Sequence, residues 1–165
     1  MSIYERADAL IRAPDPDQVR QGLELLRAHA ESHDNDAVAW FQYGGGLDSS
    51  GDEAAAIIAY DRVFELGLDR LDDADRPRIY VQAGSTLRNL GRLDEARALL
   101  EQGCEQFPAV RVLRVFLALV EVSAGRDRRA IDLLFEVVLG EGAGDDSVSW
   151  YPRSLVNYAA EIRQS

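Results

Sequence analysis

The chain has 165 residues, enough for one domain rather than two. Its 29 acidic residues against 18 basic ones give a formal charge of -11, which disfavours nonspecific attachment to nucleic acid or to an anionic membrane. Every basic residue is Arg, which excludes Schiff-base and phosphate-loop lysine chemistry, and the single Cys104 excludes an intrachain disulfide and a four-thiolate metal site.

In chain order, apolar periodicity predicts helices at Ile3–Arg12, Asp17–His33, Ala37–Ser49, Asp52–Leu66, Arg76–Leu90, Leu93–Gln106, Val110–Ala124 and Asp127–Leu139. A Gly-rich, acidic linker over Gly140–Ser147 and a last helix over Trp150–Ile162 follow. Glu5, Arg6 and Asp8 interrupt any apolar core of a signal peptide, and no window approaches the ~18 apolar residues of a membrane span, so a cytoplasmic location is expected.

The chain repeats itself. Trp40, Gly44, Leu47, Gly51 and Ala56 recur at a constant offset as Tyr80, Gly84, Leu87, Gly91 and Ala96. Gly91 and Ala96 recur at a slightly shorter offset as Gly125 and Ala130, and a weaker upstream copy places Gly22 before Ala56 at that same shorter offset. The difference between the two offsets falls in the polar stretch between Leu66 and Pro77, a loop insertion. Gly51, Gly91 and Gly125 suit the left-handed residue that ends a helix. Gly44, Gly84 and Ala118, with Ala56, Ala96 and Ala130, let paired helices approach, while Trp40, Tyr60, Tyr80, Leu100 and Leu134 fill the space between them.

The shorter offset is the period of the tetratricopeptide repeat, and the pattern of small and bulky residues resembles that repeat. The segments AGSTLRNLGRLDEA, LDSSG and YDRVFELGL, with Phe107–Pro108 and Phe116–Leu119, resemble a small bacterial subfamily of uncharacterised single-domain members. The resemblance implies an all-α right-handed superhelix of stacked helix-turn-helix units that binds proteins, forms homodimers and has no assigned reaction. The expected organisation is one domain over 1–165: a degenerate unit at 1–36, repeats at 37–68, 76–108 and 110–139, and a capping helix at 148–163.

The first helix of each repeat lines the concave face, and stepping along it gives a polar end and an apolar end. Phe41, Asp48, Gln82, Ser85 and Arg88 are the expected partner-binding residues. Asp48 and Arg88 occupy equivalent positions, so they either pair internally or leave Arg88 to hold a partner's carboxylate. Val112, Val115, Phe116 and Leu119, with Trp150 and Tyr151, are the expected self-association surface; the alternative is that the chain's own last helix fills this apolar end. The Gly44–Gly46 run lacks the Lys and Ser/Thr of a phosphate loop. His29 and His33 lie one helical turn apart, which reads as a solvated helix end rather than a metal site, and Cys104 reads as a buried hydrophobe. The acidic run Asp69, Asp72, Asp73 and Asp75 lacks calcium-loop spacing and reads as a solvated loop. No catalytic residue, metal or cofactor is expected. The function expected is a non-catalytic scaffold holding a peptide or protein partner, or a second copy, in its groove; the alternative is a peptide or small-ligand sensor or accessory subunit using the same groove.

Overall fold

The computed structural model describes residues 1–139 and 146–164. Among these residues there are helices and no strands: α1 (Ile3–Ile11), α2 (Pro16–Ser32), α3 (Ala37–Ser50), α4 (Glu53–Leu66), α5 (Asp75–Asn89), α6 (Leu93–Gln106), α7 (Arg111–Ser123), α8 (Asp127–Leu139) and α9 (Pro152–Gln164). Short 3₁₀ turns lie at Leu68–Arg70 and Ser147–Trp150. The architecture is an all-α superhelix, as the repeat spacing predicts. Residues 140–145 of the expected linker lie outside the described residues.

Local chemistry sets the helix ends. Ser2 and Glu5 form a reciprocal capping box at α1. The Asp36 carboxylate accepts from the Val38 and Ala39 amides at α3, and Asp52 accepts from Ala55 at α4. Gly51, Gly91 and Gly125 all have positive φ, at 85°, 74° and 70°, which turns the chain between the two helices of a pair without a Cβ penalty. The last helix begins at Pro152, two residues later than expected, because Pro suits a first helical position and the preceding Tyr151, at φ -127° and ψ 49°, is not helical.

Helices pair as α1/α2, α3/α4, α5/α6 and α7/α8, and each even-numbered helix from α2 to α6 also packs on the odd-numbered helix that follows it. Odd-numbered helices also lie side by side, α1 by α3, α3 by α5 and α5 by α7, and so form the inner, concave layer. The core runs continuously through the stack, with Tyr60, Tyr80, Ile79, Leu100, Leu113, Val63 and Val112 fully buried. Each such aliphatic side chain contributes about 1.5–3 kcal/mol on burial. The insertion between α4 and α5 is tied down by Arg76, whose Nε donates to the Leu68 and Leu71 carbonyls, and by Arg70, which donates to the Asn35 carbonyl.

Small residues close the helix pairs. A Cβ added at Gly44 would fall 2.5 Å from the Tyr60 ring, one at Gly84 2.6 Å from Leu100, and one at Gly103 2.9 Å from Tyr80. Leu134 departs from the expected interior position. Its counterpart Leu100 is buried between repeats, whereas among the described residues no helix follows α8 to cover Leu134.

Candidate functional site

The concave layer divides into an occupied half and an open half. On the α5/α7 half sits the chain's own C-terminal segment. Ser147, fully buried, accepts a hydrogen bond from the Val112 amide at 3.0 Å. Trp150 lies under the Arg78 guanidinium at 4.9 Å from the ring centroid, and Tyr158 under that of Arg88 at 4.6 Å. Tyr151 and Tyr158 both meet the Phe116 ring edge-on, with centroids 5.5 and 6.2 Å away. The Tyr158 and Ser85 hydroxyls are 2.8 Å apart.

This placement sorts the expected residues. Val112 and Phe116 are buried beneath the segment, Val115 and Leu119 are half-buried, and Trp150 and Tyr151 turn inward. The surface expected for self-association is therefore covered within one copy, because these aromatic side chains find their apolar partners in the same chain. Ser85 and Arg88 do lie on the concave face, but Tyr158 occupies them. Arg88 Nε also donates to the Ser123 hydroxyl at 2.7 Å, and its guanidinium lies 3.8 Å from Glu161.

The open half is a cavity of about 800 Å³ between α1, α3 and the start of α9. Asp8, Gln42, Gly45, Asp48, Gln82 and Tyr151 are among the residues lining it. At its floor, Asp48 accepts a 2.9 Å hydrogen bond from Thr86 Oγ1, and the Tyr60 hydroxyl donates to Gln82 Oε1 at 3.0 Å. Burial raises the Asp48 carboxyl above its usual value, opposed by the Thr86 hydrogen bond and reinforced by Glu53. The Tyr151 hydroxyl is buried without a well-formed hydrogen bond, and burial pushes its phenol up to about 12 against the opposing influence of the Gln82 amide. Asp48, Gln82 and Tyr151 thus line the floor, and the buried Thr86 and Tyr60 hydroxyls hold the first two from behind.

Two expectations are corrected here. Asp48 and Arg88 do not pair: Asp48 meets Thr86, half a turn earlier on α5, while Arg88 points away toward α7 and α9. Equivalent positions on stacked helices project in parallel and do not face each other. Phe41 lies in the core with its ring against Tyr60, so it is not a groove contact; it sits three positions before Gly44, on the buried face of α3. Thr86, behind the floor, carries no sequence signal beyond lying one turn after Gln82, and Tyr151 reaches the cavity from outside the repeats.

Elsewhere, the His29 and His33 rings lie 4.3 Å apart at a 41° tilt, His29 half-buried edge-on to Tyr4 and His33 exposed, and among the described residues no group of three or more His, Cys, Asp or Glu is arranged to hold a metal. Cys104 is half-buried, and burial pushes its thiol up to about 11. In the acidic run, Asp72 caps the start of α5 by accepting from the Asp75 amide, and Asp73 and Asp75 pair with Arg76 and Arg78. No helix of the described residues is long and apolar enough to cross a membrane.

Comparison with known proteins places this geometry. The Tetratrico peptide repeat family model matches residues 37–162. An uncharacterized protein of Aquifex aeolicus (strain VF5) is 36% identical over 83 residues, 48% of this chain. The aligned region is only 11% of that relative, so the chain spans about a tenth of its length. The crystal structure of MamA protein superposes with a TM-score of 0.68 at 15% identity, covering 90% of this chain and 75% of that one. The MamA RS-1 ArsTM double mutant gives a TM-score of 0.64 at 15% identity, covering 99% and 94%. At such identities these two structures establish a shared fold.

Proposed function

Because the chain belongs to the tetratricopeptide repeat family, which supports a role in protein–protein interaction, we propose that it is a non-catalytic scaffold whose concave face holds a segment of a partner protein. The observation that carries this reading is the C-terminal segment itself. One half of the concave layer already receives a stretch of polypeptide through aromatic anchors, a buried serine and two guanidinium–ring contacts. The other half is open, with Asp48 and Gln82 as its polar contacts. Ser85 and Arg88 extend that surface wherever Tyr158 is displaced. The proposal includes self-association and a cytoplasmic location, with no cofactor, membrane or nucleic acid required.

Crosslinking tests the groove. A photoreactive residue in place of Ser49, which is exposed on the rim of the cavity, captures a partner in native cells. The same residue in place of Glu101, on the outer helix α6, does not. Equal capture from both positions refutes groove binding.

A second reading rests on the size and polarity of the cavity. About 800 Å³ falls within the range of small-ligand sites, so a peptide or metabolite sensor would use the same floor. A thermal shift with a small molecule that saturates at one site, and is lost in Asp48→Asn, favours the sensor over the scaffold.

A further inference from the structure

The outer face of α8 breaks a rule of stacked repeats. A helix face that no neighbouring unit covers is ordinarily polar in such stacks, and among the described residues no helix covers the outer face of α8. Here Ile131, Leu134, Phe135, Val138 and Leu139 are 53%, 43%, 59%, 75% and 76% exposed. Their spacing places them on one stripe of the helix.

Comparison with α6, the equivalent helix of the preceding repeat, identifies what kind of stripe this is. Arg97, Leu100 and Cys104 of α6 correspond to Ile131, Leu134 and Val138. Arg97 reaches across to Glu121 of α7, and Leu100 is buried. These are positions that meet neighbouring helices. Beside them, α6 carries exposed Glu101 and Glu105 where α8 carries Phe135 and Leu139. The outer face of α8 is thus more apolar than that of α6. The C-terminal segment does not relieve this, because its described anchors turn into the concave face.

We propose that the α8 face pairs with the same face of a second copy, the two helices running antiparallel about a two-fold axis near Leu134 and Phe135. This deepens the self-association half of the proposed function and moves it away from Val112 and Phe116.

Three observations favour a second copy as the occupant. First, the exposed side chains present roughly 500 Å² of apolar surface per copy, more than half of the ~800 Å² per partner of a stable complex. Second, the surface supplies both a ridge and a hollow: Phe135 and Leu139 wall a cavity of about 550 Å³ with Pro108 and Ala109 among its other apolar lining and Arg111, Arg114, Asp132 and Glu136 as its charged lining. Third, the charge runs the right way. Arg128 stands beside Asp127 in the first turn of α8, and antiparallel pairing sets it toward the negative C-terminal end of the partner's helix, while Arg129 is held by Asp132 and Glu136 of its own helix. Parallel pairing would place arginine beside arginine. In this arrangement Ile131 packs on the second copy's Val138, and Leu134 on its Phe135.

Sedimentation of the full chain tests the proposal. Wild type forms a dimer at about 100 µM, with micromolar dissociation. Phe135→Glu, at a position already in solvent, keeps the helical spectrum and weakens dimerisation at least ~30-fold, since it desolvates a charge at the axis. Val156→Glu, at an exposed apolar position on α9, leaves the dimer unchanged. Leu134→Cys in a Cys104→Ser background oxidises to a covalent dimer. A wild-type monomer at this concentration overturns self-association altogether, even if the α8 face captures a different protein. A dimer indifferent to Phe135→Glu overturns this surface alone. Neither result touches the groove reading, which the Ser49 crosslink decides.

Discussion

Gly44 and Gly45 are neighbours on α3, yet replacing each with Ala should move stability in opposite directions. Both substitutions gain the same helix propensity, about 1 kcal/mol relative to Gly. A Cβ at Gly45 meets only Gln82 Oε1, at 3.7 Å, an ordinary contact. A Cβ at Gly44 falls 2.5 and 2.7 Å from Cε1 and Cδ1 of the Tyr60 ring. That ring cannot swing aside freely: it is completely buried, and its hydroxyl is held by Gln82 at 3.0 Å. Overpacking of this kind costs about 1–3 kcal/mol. Gly45→Ala should therefore stabilise by up to ~1 kcal/mol, while Gly44→Ala should range from about neutral to ~2 kcal/mol less stable. The gap of about 1–3 kcal/mol between them isolates packing, because propensity is common to both. Urea unfolding followed by circular dichroism measures the gap; in thermal melts each kcal/mol is worth roughly 2–4 °C for a chain of this size. Equal stability of the two variants, or Gly44→Ala the more stable, would show that α3 and α4 do not meet at this glycine.

Three further expectations concern charge. The folded-state value of Asp48 is raised, so its carboxylate opposes folding once it ionises. Asp48→Asn should be indistinguishable from wild type below the ordinary carboxylate range and increasingly the more stable of the two as pH rises through it, read from urea midpoints; an advantage confined to acid pH contradicts the burial. Glu121 is buried and held by Arg97 at 3.0 Å and by Arg126. Glu121→Ala removes both contacts while Arg97 keeps Asp94 and both guanidinium groups reach solvent, so it should cost about 1.5–3 kcal/mol by denaturant titration, with a loss under about 0.5 kcal/mol ruling out a structural ion network. Arg88→Ala removes the contacts to Tyr158 and Ser123, worth about 1–2 kcal/mol. Hydrogen exchange should then quicken in α9 while α3 and α4 keep their protection; uniform loss along the chain would make Arg88 a general core support.

The helical ladder was legible because the two features that build it recur at fixed spacing. Small residues at Gly44, Gly84 and Ala118 set the approach of the helices, and glycines at 51, 91 and 125 set the turns. Groove contacts were less legible. The repeat register says that Asp48 and Arg88 share a face, but not that side chains on that face run parallel and that Asp48 meets Thr86 instead. The C-terminal segment has no repeat register at all. Its aromatic spacing shows that Trp150, Tyr151 and Tyr158 want burial without saying against what, and only the fold brings them to Phe116, Arg78 and Arg88. The open cavity needs α1, α3 and the start of α9 together, a juxtaposition that no single stretch of sequence encodes.

The docked C-terminal segment also sets a threshold. An incoming strand that seeks Ser85, Arg88 and Phe116 meets a tethered rival whose effective concentration is on the order of millimolar. Its apparent affinity is divided by the ratio of latched to released tail, so weak visitors are turned away from that half and only the floor around Asp48 stays open to them. Loosening the hold of its tyrosine would lower that threshold without altering one atom of the surface being competed for.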